Sequence, residues 1–267
     1  MSRLCALFDV TRTGYYAWRG RGPCARAQQD RILSKRILEI FRASNGIYGS
    51  PRIHRALKVQ GINVSRRCVE RLMQVAGLRA RIARIYRSNP KLHKFRGLPN
   101  RLRGVKVTAP DQVWLGDVTY LHVGGQWRYL AVVMDRYSRR LLGWSLSRRR
   151  DVQLTKAALT HAVRQRRPRP GFIFHSDRGV EYAGHLFRKQ LDALGALQSM
   201  NQRSLGDNAE MESFFHSFKA DAVHGLSFKD ELQMRAQLLW YVPFYNQRRM
   251  HSANDYRSPV DYERHVS

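Results

Sequence analysis

The chain has 267 residues, is 43% apolar and 10% aromatic, and carries a formal net charge of +28. These apolar and aromatic contents are typical of a folded globular protein and exclude a disordered polycation. No apolar run approaches the roughly 20 residues of a membrane span, and the first residues are too weakly apolar for a secretory signal. We therefore expect no membrane partner. The three cysteines are scattered and match no zinc spacing, which is typical of a protein of a reducing cytoplasm.

The positive charge is concentrated in the first part of the sequence. Residues 1–108 contain 25 Lys and Arg against 4 Asp and Glu, whereas residues 109–267 contain 23 against 16. Nucleic acid is the expected partner, because Lys and Arg neutralise phosphates and release counterions. A structural protein of a ribonucleoprotein would carry a similar charge. The contrast predicts a binding domain ahead of a catalytic one. Together with the elements predicted below, it gives a helical DNA-binding region over 1–79, a basic linker over 80–108, a catalytic core over 109–222 and a helical extension over 223–267.

Two short helices in the basic region predict a DNA-binding motif. A longer helix over 25–44 precedes them, with a core stripe that is predicted to include Ile32 and Ile37. Ser50 is the predicted N-cap of a helix over 52–59, and Ser65 that of a second helix over 66–76. Two helices joined by a glycine turn, with a basic second helix, are typical of a helix-turn-helix. The alternative is a small three-helix domain with a solvated basic face. The predicted DNA contacts here are Arg52, Arg66, Arg67 and Arg71.

From residue 112 the pattern changes to strands that alternate with helices. The predicted strands cover 113–123, 127–134, 140–146, 171–176 and 196–200. The predicted helices cover 152–166, 182–194, a segment from 208 onward and 229–245. Gly124-Gly125 predicts a hairpin between the first two strands. The order predicts an α/β fold, with a mixed five-stranded sheet and helices on both faces.

Three carboxylates stand in apolar surroundings. Asp117 interrupts an apolar strand, Asp177 follows the fourth strand, and Glu212 lies on a helix rich in phenylalanine. Buried acids are rare unless they are paired or bind metal. If the first and fourth strands are neighbours, Asp117 and Asp177 converge, while Glu212 lies at the edge of the core. The alternatives are a turn residue at Asp117, a helix N-cap at Asp177 and a surface charge at Glu212.

A site of this composition suits divalent cations. Hard dications prefer oxygen ligands, and two ions about 3.5–4 Å apart can hold the attacking and leaving oxygens of a phosphoryl displacement. Asp135 is a fourth metal candidate, although a role in ordering a turn is favoured. His175 is either an outer partner of the site or a core histidine with satisfied hydrogen bonds. Arg248 and Arg249 either reach DNA or cap a helix end, where cations suit the dipole.

The residues around the acids carry recognisable motifs. Residues 114–120 (WLGDVTY), 175–182 (HSDRGVEY) and 207–215 (DNAEMESFF) resemble W-x-x-D-x-T-Y, H-S-D-x-G-x-x-Y and D-N-A-x-x-E-S-F-F. These are motifs of the second-reading-frame (OrfB) transposases of bacterial insertion sequences of the IS-three type. That group belongs to the DDE, retroviral-integrase-like superfamily. Residues 48–53 and 64–73 resemble its helix-turn-helix, so the resemblance covers nearly the whole chain.

The resemblance implies an RNase H-like core behind a small all-α domain, and DNA cleavage and strand transfer at insertion-sequence ends. It implies two Mg²⁺ ions, replaceable by Mn²⁺, with Asp117 bridging both and Asp177 and Glu212 each completing one. Lys219 matches a basic position that the family uses near DNA. The interval between Asp177 and Glu212 is one residue shorter than usual in the family, within the 201–207 loop.

The resemblance also implies partners and a location. The partners are double-stranded DNA of the terminal inverted repeats and of the target, further copies of the chain, and the first-frame (OrfA) product or a fusion with it. The location is the bacterial cytoplasm, in association with the nucleoid. The alternative is a non-catalytic DNA-binding regulator of transposition.

Overall fold

A computed structural model describes residues 2–80, 98–201 and 208–265 of the chain. The chain forms two compact units, Met1–Ala80 and Arg81–Ser267. Most of the predicted basic linker, 80–108, lies outside the described residues. Its last part lies along the sheet of the second unit, where the Arg101 amide donates to Ser199 Oγ at 2.8 Å. The predicted division of the second unit into linker, core and extension stays a prediction.

The elements described in the first unit are all α-helices. Its helices are α1 (Ser2–Leu7), α2 (Arg12–Gly20), α3 (Ala25–Ala43), α4 (Ser50–Val59) and α5 (Arg66–Val75). Helices α3, α4 and α5 pack on one another around a core that includes Ile37, Ile53, Leu57 and Val69. The predicted N-cap at Ser65 is confirmed, since its side chain accepts from the Cys68 amide. The N-cap of α4 is Gly49, not Ser50 as predicted.

One predicted core position of the first unit is wrong. Ile32 is 67% exposed, whereas Ile37 is 1% exposed. Positions five residues apart point about 140° away from each other on an α-helix, at 3.6 residues per turn. The two isoleucines therefore cannot share one face of α3.

The second unit is built on the predicted mixed sheet. Its strands are β1 (Val113–Val123), β2 (Gln126–Asp135), β3 (Leu141–Ser147), β4 (Ile173–Ser176) and β5 (Leu197–Met200). The strand order is β3-β2-β1-β4-β5; β1 and β3 are antiparallel to β2, whereas β1, β4 and β5 are parallel to one another. Gly124 and Gly125 have φ of 55° and 75°, as a two-residue hairpin loop with two left-handed positions requires. The five-stranded α/β prediction is confirmed.

Helices cover both faces of this sheet. They are α6 (Val152–Arg166), α7 (Val180–Ala183), α8 (His185–Ala193), α9 (Ala209–Ala222), α10 (Glu231–Gln247) and α11 (Pro259–Arg264). Helix α6 packs on β2 and β3, α9 on β1, and α10 on β3. The helix predicted over 182–194 is two helices, because Gly184 adopts an extended conformation between them. No helix within the described ranges is long and apolar enough to cross a membrane.

Two acids order the backbone at the ends of elements in the second unit. Asp151 caps α6 by accepting from the amides of Gln153 and Leu154. Asp135 is buried at the end of β2 and accepts from the amides of Asp111 and Ser138, at 2.7 and 2.9 Å. Asp135 therefore orders the turn, as favoured.

Candidate active site

The parallel pairing of β1 with β4 brings two of the predicted acids together. The last pair in register is Gly116 with Ser176, so the next residues along the two strands are Asp117 and Asp177. Carboxyl ends of parallel strands are where sites form in α/β sheets. Both carboxylates are half-buried at this edge. Asp117 and Asp177 were predicted to converge if the first and fourth strands are neighbours, and the observed register meets that condition.

Backbone amides orient both carboxylates. Asp117 Oδ1 accepts from the Val118 amide at 2.7 Å, and Asp177 Oδ1 accepts from the Gly179 amide at 2.9 Å. The turn that supplies the second bond leaves no room for a side chain. A Cβ on Gly179 would lie 2.5 Å from a carboxylate oxygen of Glu181 and 2.9 Å from Asp177 Oδ1. A side chain at Gly179 would therefore displace the carboxylates of Glu181 and Asp177 from their present positions.

The strand position before Asp117 is equally crowded. A Cβ on Gly116 would lie 2.5 Å from Phe174 Cζ and 3.2 Å from the Tyr182 ring. Phe174 and Tyr182 are both buried and contact the Phe187 ring of α8 edge-to-face. The aromatic core thus forms the floor of the acid pair and holds β1 and β4 at close approach.

The two carboxylates repel each other. Burial raises the pKa of Asp117 well above its usual value, and the negative charge of Asp177 raises it further. The nearby guanidinium of Arg150 acts in the opposite direction. Burial and the same carboxylates also raise the pKa of Tyr182. A cation bound between the two carboxylates would relieve this repulsion.

An ion pair that sequence reasoning missed lies against the acids. Arg150 Nη2 lies 2.7 Å from Glu181 Oε1 and 3.9 Å from Asp177 Oδ2. The Glu181 side chain is only 1% exposed. Although burial opposes its charge, the bond to Glu181 raises the pKa of Arg150. The available signal was an acid four residues after Asp177; Arg150 itself ends an arginine run that is typical of a solvated surface.

Glu212 does not join the other two acids in a cluster. It lies exposed in the first turn of α9. Among the residues that the structure describes, no group of three or more His, Cys, Asp or Glu could hold a metal ion. Helix α9 nevertheless packs on β1. Its Lys219 is close enough to Asp117 for that acid to oppose the lowering of the Lys219 pKa by burial. The pairing of Asp117 with Asp177 is thus observed, and the role of Glu212 stays a prediction.

Two residues weighed as possible parts of the site have structural partners instead. His175 is buried and bonds through Nδ1 to Ser199 Oγ at 2.8 Å and through Nε2 to Asn201 Oδ1 at 2.5 Å. Of the two alternatives for His175, the structure therefore favours a core histidine with satisfied hydrogen bonds over an outer partner of the site. Asp135 serves the turn described above, and burial raises its pKa to about 6.

The predicted DNA contacts of the first unit lie on its surface. Arg66, Arg67 and Arg71 are exposed on α5, and Arg52 is half-buried on α4. Within the unit, Arg66 pairs with Glu70 at 2.9 Å and Arg71 with Asp30 at 2.8 Å. Such exposed pairs contribute little to stability. The arginines can exchange these partners for phosphates at low cost.

The structure corrects the prediction for Arg249. This side chain is 3% exposed, and its Nε donates to Asp221 Oδ2 at 2.7 Å. Tyr241 donates to the same oxygen at 3.0 Å. A DNA contact would have to break this buried pair and leave Asp221 without its cation. Arg249 therefore holds α10 to α9, whereas Arg248 is exposed beside it.

Comparison with known proteins is consistent with this arrangement. Residues 27–86 match the family described as HTH-like domain, and 107–204 and 212–266 each match Integrase core domain. The chain is 34% identical to the transposase for insertion sequence element IS904 of Lactococcus lactis, over 92% of this chain and 99% of that protein. It is 36% identical to transposase InsF for insertion sequence IS3A of Escherichia coli, over 97% and 92%.

The chain belongs to the IS3 family of transposases. Among solved structures, it is similar to the HTLV-2 integrase catalytic core domain in complex with magnesium, with a TM-score of 0.45 and 14% identity over 59% of this chain and 99% of that one. It is also similar to a simian T-cell lymphotropic virus intasome chain, with a TM-score of 0.48 and 14% identity over 80% and 74%. The predicted RNase H-like fold behind a helix-turn-helix-like domain is confirmed for this transposase-family chain.

Proposed function

We propose that the chain is the catalytic subunit of a DDE transposase, which cleaves DNA at insertion-sequence ends and joins it to a target. The observation that carries the proposal is the adjacent, half-buried pair Asp117 and Asp177 at the open end of the sheet. Two carboxylates facing each other destabilise a fold unless a cation compensates them. In a member of a transposase family, the chemistry that uses such a pair is phosphoryl transfer.

The donor set fits hard divalent cations. Carboxylate oxygens are the ligands that Mg²⁺ prefers, and Mn²⁺ accepts them too. The metal would be held by Asp117, Asp177 and Glu212. Two such ions, when bound, stabilise the attacking and the leaving oxygen of a phosphodiester. The mutual repulsion of Asp117 and Asp177 is what a dication would relieve.

The chain's own residues prepare this site. The amides of Val118 and Gly179 each hold one oxygen of a carboxylate and so orient the other one. Arg150 lies 3.9 Å from Asp177 and tempers the repulsion before any cation arrives. Glu212 would complete the set from the first turn of α9, the helix that packs on β1.

The remaining basic residues would hold the DNA. The proposed phosphate contacts are Arg52, Arg66, Arg67, Arg71, Lys219 and Arg248. Each neutralised phosphate releases counterions, so binding should weaken steeply with salt. The same proposal includes copies of the chain assembled on double-stranded DNA, a first-frame partner or fusion, and a place at the nucleoid in the cytoplasm.

The direct test is cleavage of DNA that carries the ends of the element encoding the chain. Asp117→Asn, Asp177→Asn and Glu212→Gln should each abolish Mg²⁺-dependent strand cleavage while salt-sensitive DNA binding persists. Asp192→Asn is the matched control, because Asp192 is an exposed acid on α8 of the same unit. Cleavage that survives in any of the three variants removes that residue from the proposed set.

A second candidate is a DNA-binding regulator without catalysis. It is favoured by one observation, the exposed position of Glu212 outside any three-member acid cluster among the described residues. The regulator would bind the element's ends with the same salt dependence and would show no cleavage with either Mg²⁺ or Mn²⁺. Metal-dependent cleavage by the unmodified chain rules it out.

A further inference from the structure

An exposed aromatic patch lies along the β1–β2 hairpin beyond Asp117. We define it by three residues, Tyr120, His122 and Trp127. Tyr120 is 41% exposed and Trp127 is 55% exposed, although both stand on strands. The ring centroids of Tyr120 and Trp127 are 5.3 Å apart, and those of His122 and Trp127 are 5.2 Å apart. The patch therefore offers a continuous aromatic surface to solvent.

The strand register places these three rings on one face. His122 pairs directly with Trp127 across the antiparallel ladder, and side chains two residues apart on a strand share a face. Pairing of β1 with β4 ends at Gly116. From Asp117 onward, β1 therefore extends past the end of β4, and the patch lies on this extension.

A cation links the patch to the acids. Lys219 Nζ lies 4.8 Å from the centroid of the Tyr120 ring, in a cation–π arrangement. Burial lowers the pKa of this lysine, and Asp117 is close enough to oppose that shift. An ammonium group beside exposed rings is the combination that binds a nucleotide, with a phosphate on the cation and a base on the ring.

The spacing along β1 indicates which nucleotides could reach the patch. Tyr120 is three residues beyond Asp117, or roughly 10 Å at about 3.3 Å per residue. One strand of duplex DNA advances about 3.4 Å per nucleotide. The backbone of the patch thus lies within about three nucleotides of a phosphodiester held at Asp117. Because residues three apart on a strand face opposite sides of the sheet, the DNA strand would reach both around the edge of β1 that has no β4 partner beyond Gly116.

We propose that the aromatic patch binds unpaired bases of the DNA strand that enters the site at Asp117. Bases in a duplex stack on one another, so an exposed ring finds a stacking partner only in a base that has left the helix. The position of those bases relative to the cleaved bond rests on the proposed function. The preference for unpaired bases does not, because it requires neither metal nor cleavage. The competing explanation is a cross-strand aromatic pair that only stabilises the hairpin.

The test compares two DNA probes with the full chain in EDTA. One probe is a blunt duplex of the element's end, and the other has the same sequence with three unpaired terminal bases, one of them 2-aminopurine. The unmodified chain should bind the unpaired probe more tightly. Because base–aromatic stacking contributes about 1–3 kcal/mol per base, Trp127→Ala should weaken that binding about tenfold and leave blunt-duplex binding unchanged.

Matched variants separate stacking from structure. Trp127→Phe keeps an aromatic face and should retain most of the preference and the quenching of 2-aminopurine. Trp240→Ala is the control, since Trp240 is 37% exposed but stacks on Phe244 of α10, in another part of the unit; it should leave both affinities unchanged. Equal weakening of both probes by Trp127→Ala, or no weakening of either, overturns the proposal.

The proposed binding of unpaired bases and the proposed catalytic function can fail independently of each other. Asp117→Asn should keep the preference for unpaired bases, because the patch does not use that carboxylate. If Asp117→Asn still cleaved DNA, the catalytic assignment would fail while the binding result remained. If the preference vanished in Trp127→Ala while Asp117→Asn abolished cleavage, both proposals would stand.

Discussion

The buried ion pair beside the acids makes the sharpest stability prediction. Arg150→Gln removes the guanidinium that lies 2.7 Å from Glu181 and leaves a carboxylate that is 1% exposed without its cation. Breaking a fully buried pair on one side costs about 3–5 kcal/mol. Because the Arg150 side chain is 19% exposed, water can reach part of the gap, so we expect the lower end, about 3 kcal/mol.

Thermal unfolding of the full chain measures this effect. For 150–250 residues, 1 kcal/mol lowers Tm by about 2–4 °C, so Arg150→Gln should lower the Tm of the second unit by roughly 6–12 °C. The double variant Arg150→Gln/Glu181→Gln should be more stable than Arg150→Gln alone, since it no longer buries a stranded charge. The neighbouring Arg148→Gln is the control: Arg148 is 74% exposed and 3.8 Å from Glu231, and its loss should shift Tm little.

Two results would refute this reasoning. A loss below about 1 kcal/mol in Arg150→Gln would mean that the pair contributes no more than a surface pair does. Additive losses in the double variant would mean that the charges of Arg150 and Glu181 are not coupled.

Three further predictions concern the surroundings of the site. Burial raises the pKa of Asp135 to about 6, so the folded chain keeps a proton that the unfolded chain loses above about pH 4; stability from this group is lost as pH rises through 6. Urea unfolding should therefore show that the free energy of unfolding of the unmodified chain falls by about 2–3 kcal/mol between pH 4 and 7, relative to that of Asp135→Asn. A difference between the two chains that does not change with pH would contradict this prediction. Gly116→Ala should lower the free energy of unfolding by about 1–3 kcal/mol, because the added methyl group overpacks against the Phe174 ring. An unchanged midpoint of urea unfolding would contradict this prediction. Arg249→Ala should lower Tm much more than Arg248→Ala, because it leaves the buried Asp221 carboxylate without its cation. Equal Tm values for the two variants would mean that the pair of Arg249 with Asp221 does not stabilise the fold.

Local patterns predicted much of the second unit. The first strand was predicted over its observed span, 113–123, because its apolar residues and the following Gly124-Gly125 mark both ends. The convergence of Asp117 and Asp177 was conditional on two strands being neighbours, which no local pattern states. Only the observed β1–β4 register meets that condition.

Residues whose roles depend on distant partners could not be predicted from local patterns. Arg249 follows a helix end and resembles a surface cation, but its partner Asp221 lies on the preceding helix. Arg150 and Glu181 are likewise far apart in sequence and meet only when the segment after β3 lies against α7. The placement of Glu212 depends on how α9 packs, and its spacing from Asp177 along the chain does not determine that.

The most direct measurement is anomalous diffraction from crystals of the chain soaked in Mn²⁺. We expect two anomalous peaks beside the Asp117 carboxylate, one of them shared with Asp177 and the other with Glu212 of α9. Asp117→Asn crystals should lose both peaks, since Asp117 is expected to bridge the ions. Strong peaks elsewhere on the chain, with none at Asp117 and Asp177, would contradict the assignment of this edge of the sheet as a metal-dependent catalytic site.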